Sequence, residues 1–221
     1  MTGVLALVGG GEWSEGCDFD RSLLEASGAT DVVVLPTGSA YENPKHLLDQ
    51  AGPWFASLGL SVTPVNVLTR RDAFDEEAVA AVEAARFIYL AGASAMHLRS
   101  VLKDTPVLTA MLAAWESGAA LAGTNAGADV LCDPMVDSRG GAFTVGLGVV
   151  SRLAAIPRSD QWSHDKVRRT VELAPAGVCL VAIPQRTALL LDPDRGWRAE
   201  GAASVSVFVD GRAGSLDDLP T

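Results

Sequence analysis

Cysteine and histidine are scarce in this chain, with three of each among 221 residues. Cys17, Cys132 and Cys179 are odd in number and far apart, and no C-x-x-C pair occurs. That spacing excludes a disulfide framework and argues against a zinc site. His46, His97 and His164 are just as dispersed, so no metal centre is expected and no cofactor is implied. Positive charge is also short: 17 Lys and Arg stand against 27 Asp and Glu, a formal net charge of −10. Without clustered cations the chain is unsuited to nucleic acid or an anionic membrane surface. The acidic residues are scattered and read as solubility. No apolar run is long enough to cross a bilayer. The opening "MTGVLALVGGGEW" lacks the basic segment and long apolar stretch of a signal peptide, so a reducing cytoplasm is the expected compartment.

Hydrophobic residues make up 48 % and charged residues 20 %, ample for a core. No linker or break in composition interrupts the sequence, and one domain over residues 1–221 is expected. Short β-branched runs at 4–9, 31–38, 61–68, 86–92 and 119–124 alternate with amphipathic runs at 19–28, 43–59, 75–85, 95–103 and 107–117. Pro53 suggests a break in the second of these helices. The alternation predicts an α/β fold, a mainly parallel sheet covered by helices on both faces. Four more short runs, at 178–184, 187–192, 196–201 and 204–211, predict an antiparallel extension that finishes the sheet. Ligands of such sheets bind beyond the carboxyl ends of the strands. "LVGGGEW", "LPTGSAYEN", "LAGASAM" and "AGTNAGA" all fall there.

The first of these loops is not a dinucleotide fingerprint. Gly9 and Gly11 fit G-x-G-x-x-G, but Ser14 stands where the third glycine belongs, so a tight turn is the better reading. The segment "LAGTNAGADVL" (121–131) has the outline of a nucleophile elbow, a strained strand-to-helix turn that pushes a side chain into a cleft. Its tip is Asn125. Asparagine is among the few non-glycine residues that tolerate such a backbone, so the shape is expected to persist without a nucleophile.

In combination and order, "LVGGGE", "LPTGSAYENP", "YLAGASAMHLRSVLKDTPV", "AGTNAGADVLCDPMVDSRGGAFTVGLGVV", "IPRSDQW" and "PQRTALLLD" resemble the S51 serine peptidases, which comprise dipeptidase E and cyanophycinase. The resemblance spans nearly the whole chain. It implies a class I glutamine amidotransferase-like, flavodoxin-like fold, a three-layer α/β/α sandwich, and a serine-type hydrolase site. Members carry the nucleophilic serine where this chain has Asn125, and a histidine base in the segment matching "IPRSDQW", where the corresponding residue is Arg158. An Asp-Glu pair common in the family is Pro184-Gln185 here. The oxyanion loop reads Ala91-Gly92-Ala93-Ser94. Asp133 and Asp137 remain as relatives of the triad acid.

A carboxamide cannot serve as an activated oxygen or sulfur nucleophile. A guanidinium has no lone pair with which to take a proton. The leading expectation is therefore a non-catalytic relative of these peptidases that keeps the cleft and binds a small carboxylate or acidic peptide. Arg158 would supply charge and the elbow helix its free N–H groups. Gly92, Ser94, Ala126, Gln185 and Glu12 complete the expected ligand contacts. Asp129 would oppose an anion if it faced the cleft. Thr124 is expected to point away from it. His164 reads as a first-turn surface residue capped by Ser163 or Asp160. Two alternatives stay open: an active amide or peptide hydrolase using substituted groups, and a non-catalytic assembly partner of an active paralogue. A homodimer is left open as the assembly.

Overall fold

The computed structural model describes residues 2–139 and 141–220. Five parallel strands run side by side in a seven-stranded sheet: β1 (Leu5–Val8), β2 (Asp31–Gly38), β3 (Ser61–Pro64), β4 (Phe87–Gly92) and β5 (Ala120–Thr124). Their spatial order is β1-β5-β4-β2-β3. Helices α1 (Phe19–Ser27), α2 (Pro44–Ser57), α3 (Glu76–Glu83), α4 (Ala95–Leu102) and α5 (Pro106–Glu116) connect them, and α6 (Ala126–Leu131) follows β5.

Local signals set the helix ends. Gly28 closes α1 in the left-handed region at φ 61° and returns its N–H to Leu24 O. Asn43, Asp75, Ser94 and Thr105 each accept a backbone N–H in the first turn of α2, α3, α4 and α5. Helix α2 runs unbroken through Pro53, contrary to the sequence expectation. Pro53 lies on the exposed face, where water can solvate the carbonyl that its ring leaves without a donor. Strand β3 is shorter than the run at 61–68. It lies on the sheet edge and ends at Pro64, which brings no N–H to the ladder.

Alternate residues of each central strand enter different cores. Leu5, Leu7, Val33, Leu35, Ile88, Leu90 and Leu121 pack with α3, α4, α5 and α6. Ala6, Val8, Val32, Val34, Phe87, Tyr89 and Ala122 pack with α1 and α2. Burial on both faces is why these strands read as unbroken apolar runs.

The C-terminal third is more elaborate than its sequence pattern. The segment from 132 to 157 contributes β6 (Cys132–Asp133), the hairpin of β7 (Met135–Val136) and β8 (Phe143–Thr144), β9 (Val150–Ser151) and β10 (Leu153–Pro157). After α7 (His164–Leu173) come β11 (Cys179–Ile183), β12 (Thr187–Asp192), β13 (Gly196–Gly201), β14 (Ser206–Val209) and β15 (Arg212–Gly214). Strands β12 and β13 form the expected antiparallel extension, β12 pairing with β1. Strands β11 and β14 do not join it. They belong to a second, six-stranded sheet in the order β15-β14-β11-β10-β6-β9. The reason is β10, which pairs in parallel with β11 over five residues and supplies a nearer partner than the main sheet. One face of this second sheet, with Leu153, Ala155, Val181 and Ile183, joins the core under α3 to α6. Its other face, with Ala154, Ile156 and Leu180, packs against Val171 of α7.

Candidate functional site

Strand β5 delivers Asn125 to the carboxyl edge of the main sheet. The residue sits at φ 52°, ψ −113°, a region strained for any side chain. Its N–H donates to Val8 O at 2.9 Å, and its carbonyl accepts from the N–H groups of Ala128 and Asp129. Two glycines make the turn sterically feasible. A Cβ at Gly123 would lie 2.5 Å from Gly127 O, and one at Gly127 would lie 2.2 Å from Leu90 O. Strand β5, α6 and β4 therefore meet at backbone distance, and the turn leaves Asn125 lining a cleft.

Arg158 reaches the same place from the second sheet. It follows the last residue of β10 in the left-handed region, φ 52°, ψ 37°, and its N–H donates to Gly9 O at 2.7 Å. Its aliphatic stem crosses Gly10. A Cβ at Gly10 would lie 2.9 Å from Arg158 Cγ and 3.6 Å from Asn125 Cβ. The cleft between the two sheets encloses about 320 Å³, with Asn125, Asp129, Arg158, Trp162 and Lys166 on its walls.

The charges in this cleft are unequal. Lys166 donates to Ser138 O and places its ammonium 3.5 Å from the Trp162 ring centroid, which favours the cation. Partial burial, and after it the charge of Arg169, lower the Lys166 pKa; Asp137 acts in the opposite direction. Asp129 is buried. It accepts the Val136 N–H at 2.7 Å, yet burial drives its carboxyl well above the usual carboxylate range, with the Asp137 charge adding to the rise. The acid that would have opposed an anion does face the cleft, and burial favours its neutral form.

The other residues singled out from sequence divide by location. Ala126 lines the cleft beside Asn125. Ser94 lies in an adjoining hollow and caps α4. Gly92, at φ 122°, lets β4 touch β2: a Cβ there would lie 2.2 Å from the Gly38 carbonyl carbon. The next two amides, of Ala93 and Ser94, both donate to Gly38 O. Asp137 lines the adjoining hollow and forms a bidentate pair with Arg139. Hydrogen bonds from that guanidinium, and from the Arg139 backbone, hold its pKa at about 2. Asp133 sits in β6 before the cis Pro134 and accepts Gly146 N–H at 3.1 Å; it is not among the cleft residues. Gln185 stands beside Gly11 and donates its N–H to Asp160. Glu12 accepts from Thr124, whose side chain is buried away from the cleft as its position implied. His164 opens α7 on the surface, with Ser163 as its cap. Helix α6 has six residues, too few for the dipole contribution expected of a longer elbow helix.

Lys166 and Trp162 were not singled out from sequence. Lys166 lies on α7, which reads as an ordinary charged amphipathic helix, and Trp162, just before that helix, was only the last residue of "IPRSDQW". Asp129 had one: it lies four residues after Asn125, on the same face of the helix. Among the described residues, no group of three or more His, Cys, Asp or Glu is placed to hold a metal ion. A larger hollow of about 630 Å³, lined by Arg86, Asp192, Arg195 and Glu200 among others, lies at the opposite, amino-terminal end of the parallel strands. Sheets of this kind do not present their ligand sites there.

Comparison with known proteins agrees with this architecture. The sequence matches the family model described as Peptidase family S51 over residues 5–143. A cyanophycinase of Synechococcus elongatus is 27 % identical over 221 residues, covering 92 % of this chain and 67 % of the relative. One from Trichormus variabilis is also 27 % identical, covering 93 % and 73 %. A crystal structure of a peptidase from an acI-B1 Actinobacterium superposes with a TM-score of 0.83 at 27 % identity, over 97 % of this chain and 93 % of that one. With the family model matched over residues 5–143, more than half of its length, this chain belongs to peptidase family S51.

Proposed function

We propose that this S51 family member is a non-catalytic homologue whose cleft binds a small carboxylate. The observation that carries the reading is the pairing of Asn125 with Arg158 across Gly10. The tip of the turn holds a carboxamide, which lacks an ionisable nucleophilic atom. The group beside it is a permanent cation and cannot act as a base. Two further features agree. The amides of Ala93 and Ser94 both donate to Gly38 O and so are not poised for a developing oxyanion. Arg158 and Lys166 give the cleft positive charge, while burial favours the neutral acid at Asp129. A carboxylate fits that balance, because the Asn125 side-chain amide can donate a hydrogen bond to it. The three cysteines are free and buried, which suits the cytoplasm as its compartment.

Two measurements test this. A serine-directed fluorophosphonate probe together with a dipeptide hydrolysis screen should give no labelling and no turnover above background; clear turnover would restore the hydrolase reading. Calorimetric titration with acetate, glutarate, aspartate and phosphate should detect carboxylate binding. Arg158→Ala should weaken it by roughly tenfold or more, the usual magnitude for a charge-assisted hydrogen bond. Unchanged binding in that variant would remove Arg158 from the site.

A further inference from the structure

The cleft around Asn125 and Arg158 has a neighbouring hollow. This second hollow encloses about 260 Å³, and the two share Ala93, Ala95, Val136 and Ser138 as walls. The first hollow alone is at the small end for a ligand site, and a bare carboxylate head would leave the second one to water. The second hollow carries two methionines that the first lacks. Met96 and Met135 extend its apolar lining beyond Val136. Met135 and Val136 are buried, while Met96 is 48 % exposed. The residue after Met96, His97, carries Tyr41 edge-on at 4.8 Å between ring centroids, and Tyr41 is 86 % exposed. Methionine is flexible and polarisable, and adapts to apolar groups of varied shape.

The charges at this end satisfy each other. Asp137 and Arg139 are joined by two side-chain hydrogen bonds of 2.9 and 2.7 Å, so the guanidinium is already committed to a carboxylate. A second anionic group arriving here would meet Asp137 as well as Arg139. The far hollow therefore suits an apolar group better than a charged one.

We infer that the ligand of this cleft is an amphipathic monocarboxylate, with its anionic head between Asn125, Arg158 and Lys166 and its apolar arm along Met96, Met135 and Val136. This rests on the anion-binding reading above and narrows it to a chemical class. The head is held by charge-assisted hydrogen bonds; the arm contributes by removing apolar surface from water.

The experiment is a calorimetric titration of the full chain with acetate, butanoate, hexanoate and octanoate, and with adipate as a dicarboxylate control. Affinity should rise with arm length, by about fourfold per methylene buried, and adipate should bind more weakly than hexanoate. Arg158→Ala should weaken every member of the series. Met96→Asp should flatten the dependence on arm length, while Met96→Leu should retain it; Met96 is half exposed, so both variants should fold. Equal affinity for acetate and octanoate would overturn this inference and leave the anion-binding reading standing. So would tighter binding of adipate than hexanoate, or an arm-length dependence that survives Met96→Asp. Octanoate binding that is indifferent to Arg158→Ala would mark non-specific association and would also overturn it. Absence of binding by every carboxylate would remove the anion-binding reading itself.

Discussion

Arg158 and Asn125 meet across Gly10, which has no side chain to separate them. The Arg158 stem and the Asn125 Cβ lie 2.9 Å and 3.6 Å from the point where a Gly10 Cβ would sit. Arg158 is held there by its own backbone, through the 2.7 Å bond to Gly9 O. One residue follows a strand of the second sheet and the other follows a strand of the main sheet, so their proximity depends on how the two sheets dock. Gly10→Ala should push the guanidinium aside without altering any charge. Gly10 also has φ 92°, which adds backbone strain of about 1–3 kcal/mol for alanine. Carboxylate affinity should fall several-fold while its salt dependence stays that of the wild type. An affinity equal to wild type in a folded Gly10→Ala protein would mean that Arg158 does not act from this position.

Asn125 stores strain of its own. Its φ and ψ lie where glycine is at ease and a side chain is not. Asn125→Gly should therefore stabilise the fold by about 1 kcal/mol, a rise of roughly 2–4 °C in Tm for a chain of this size. Asn125→Val should lower Tm, because a β-branched residue resists positive φ most strongly. Thermal unfolding monitored by circular dichroism reads both changes. If the valine variant were the more stable, the turn would not have this backbone conformation.

Two glycine-to-alanine changes should act in opposite directions. At Gly127 a methyl group would strike Leu90 O at 2.2 Å, and neither backbone can yield easily inside the sheet edge. A loss of about 2 kcal/mol or more is expected from the clash and the resulting shifts. At Gly52, in the interior of α2, an added Cβ meets nothing within 4 Å. There alanine should stabilise by roughly 0.5–1 kcal/mol through helix propensity. Urea denaturation of both variants checks the contrast; similar effects would rule out the close contact of α6 with β4.

Stability should fall as pH rises through neutrality. Asp20 is fully buried, accepting hydrogen bonds from Trp54 Nε1 at 2.8 Å and Tyr89 Oη at 3.2 Å. Burial raises its pKa to about 7 despite those two bonds, and the Glu12 charge adds to the rise. A carboxyl whose folded value exceeds its unfolded value of 3.8 holds its proton more tightly when folded. Its contribution is complete below about pH 4 and is lost as pH climbs through about 7. The raised Asp129 acts in the same direction. Asp137, held at about 2, acts oppositely: its contribution is present above about pH 4 and is lost as pH falls through about 2. Asp20→Asn should leave Tm near wild type at pH 4.5 and raise it at pH 8. An Asp20→Asn profile parallel to wild type between those values would show that Asp20 does not titrate in this range.

Much of the main sheet was legible in the sequence because its inner parallel strands are buried on both faces and helices α2 to α5 carry their own start signals. "VLALVG", "DVVVLPTG" and "RFIYLAG" are unbroken apolar runs, and Asp75, Ser94 and Thr105 mark helix starts through short-range hydrogen bonds. The second sheet was not legible. Its strands β6 and β9 are two residues each, too short for a period to register, and the choice of β11 between two sheets depends on β10, a partner twenty-six residues before it. Strand pairing at that separation is a matter of which edges meet in space, and no local pattern records it.

The site divides along the same line. The turn at Asn125 was readable from spacing alone, since glycines at 123 and 127 are what permit such a bend. The identity of the tip residue also determined its chemistry, because a carboxamide and a guanidinium behave the same way in any fold. What only the tertiary structure decided is which groups share the cleft. Docking of the two sheets brings Arg158 to Asn125, with Trp162 in the turn after it and Lys166 on α7, while Asp133 turns to Gly146 and Asp137 pairs with Arg139. Burial changes the chemistry of one member: Asp129 reads as an anion in the sequence, and exclusion from water favours its neutral acid in the fold.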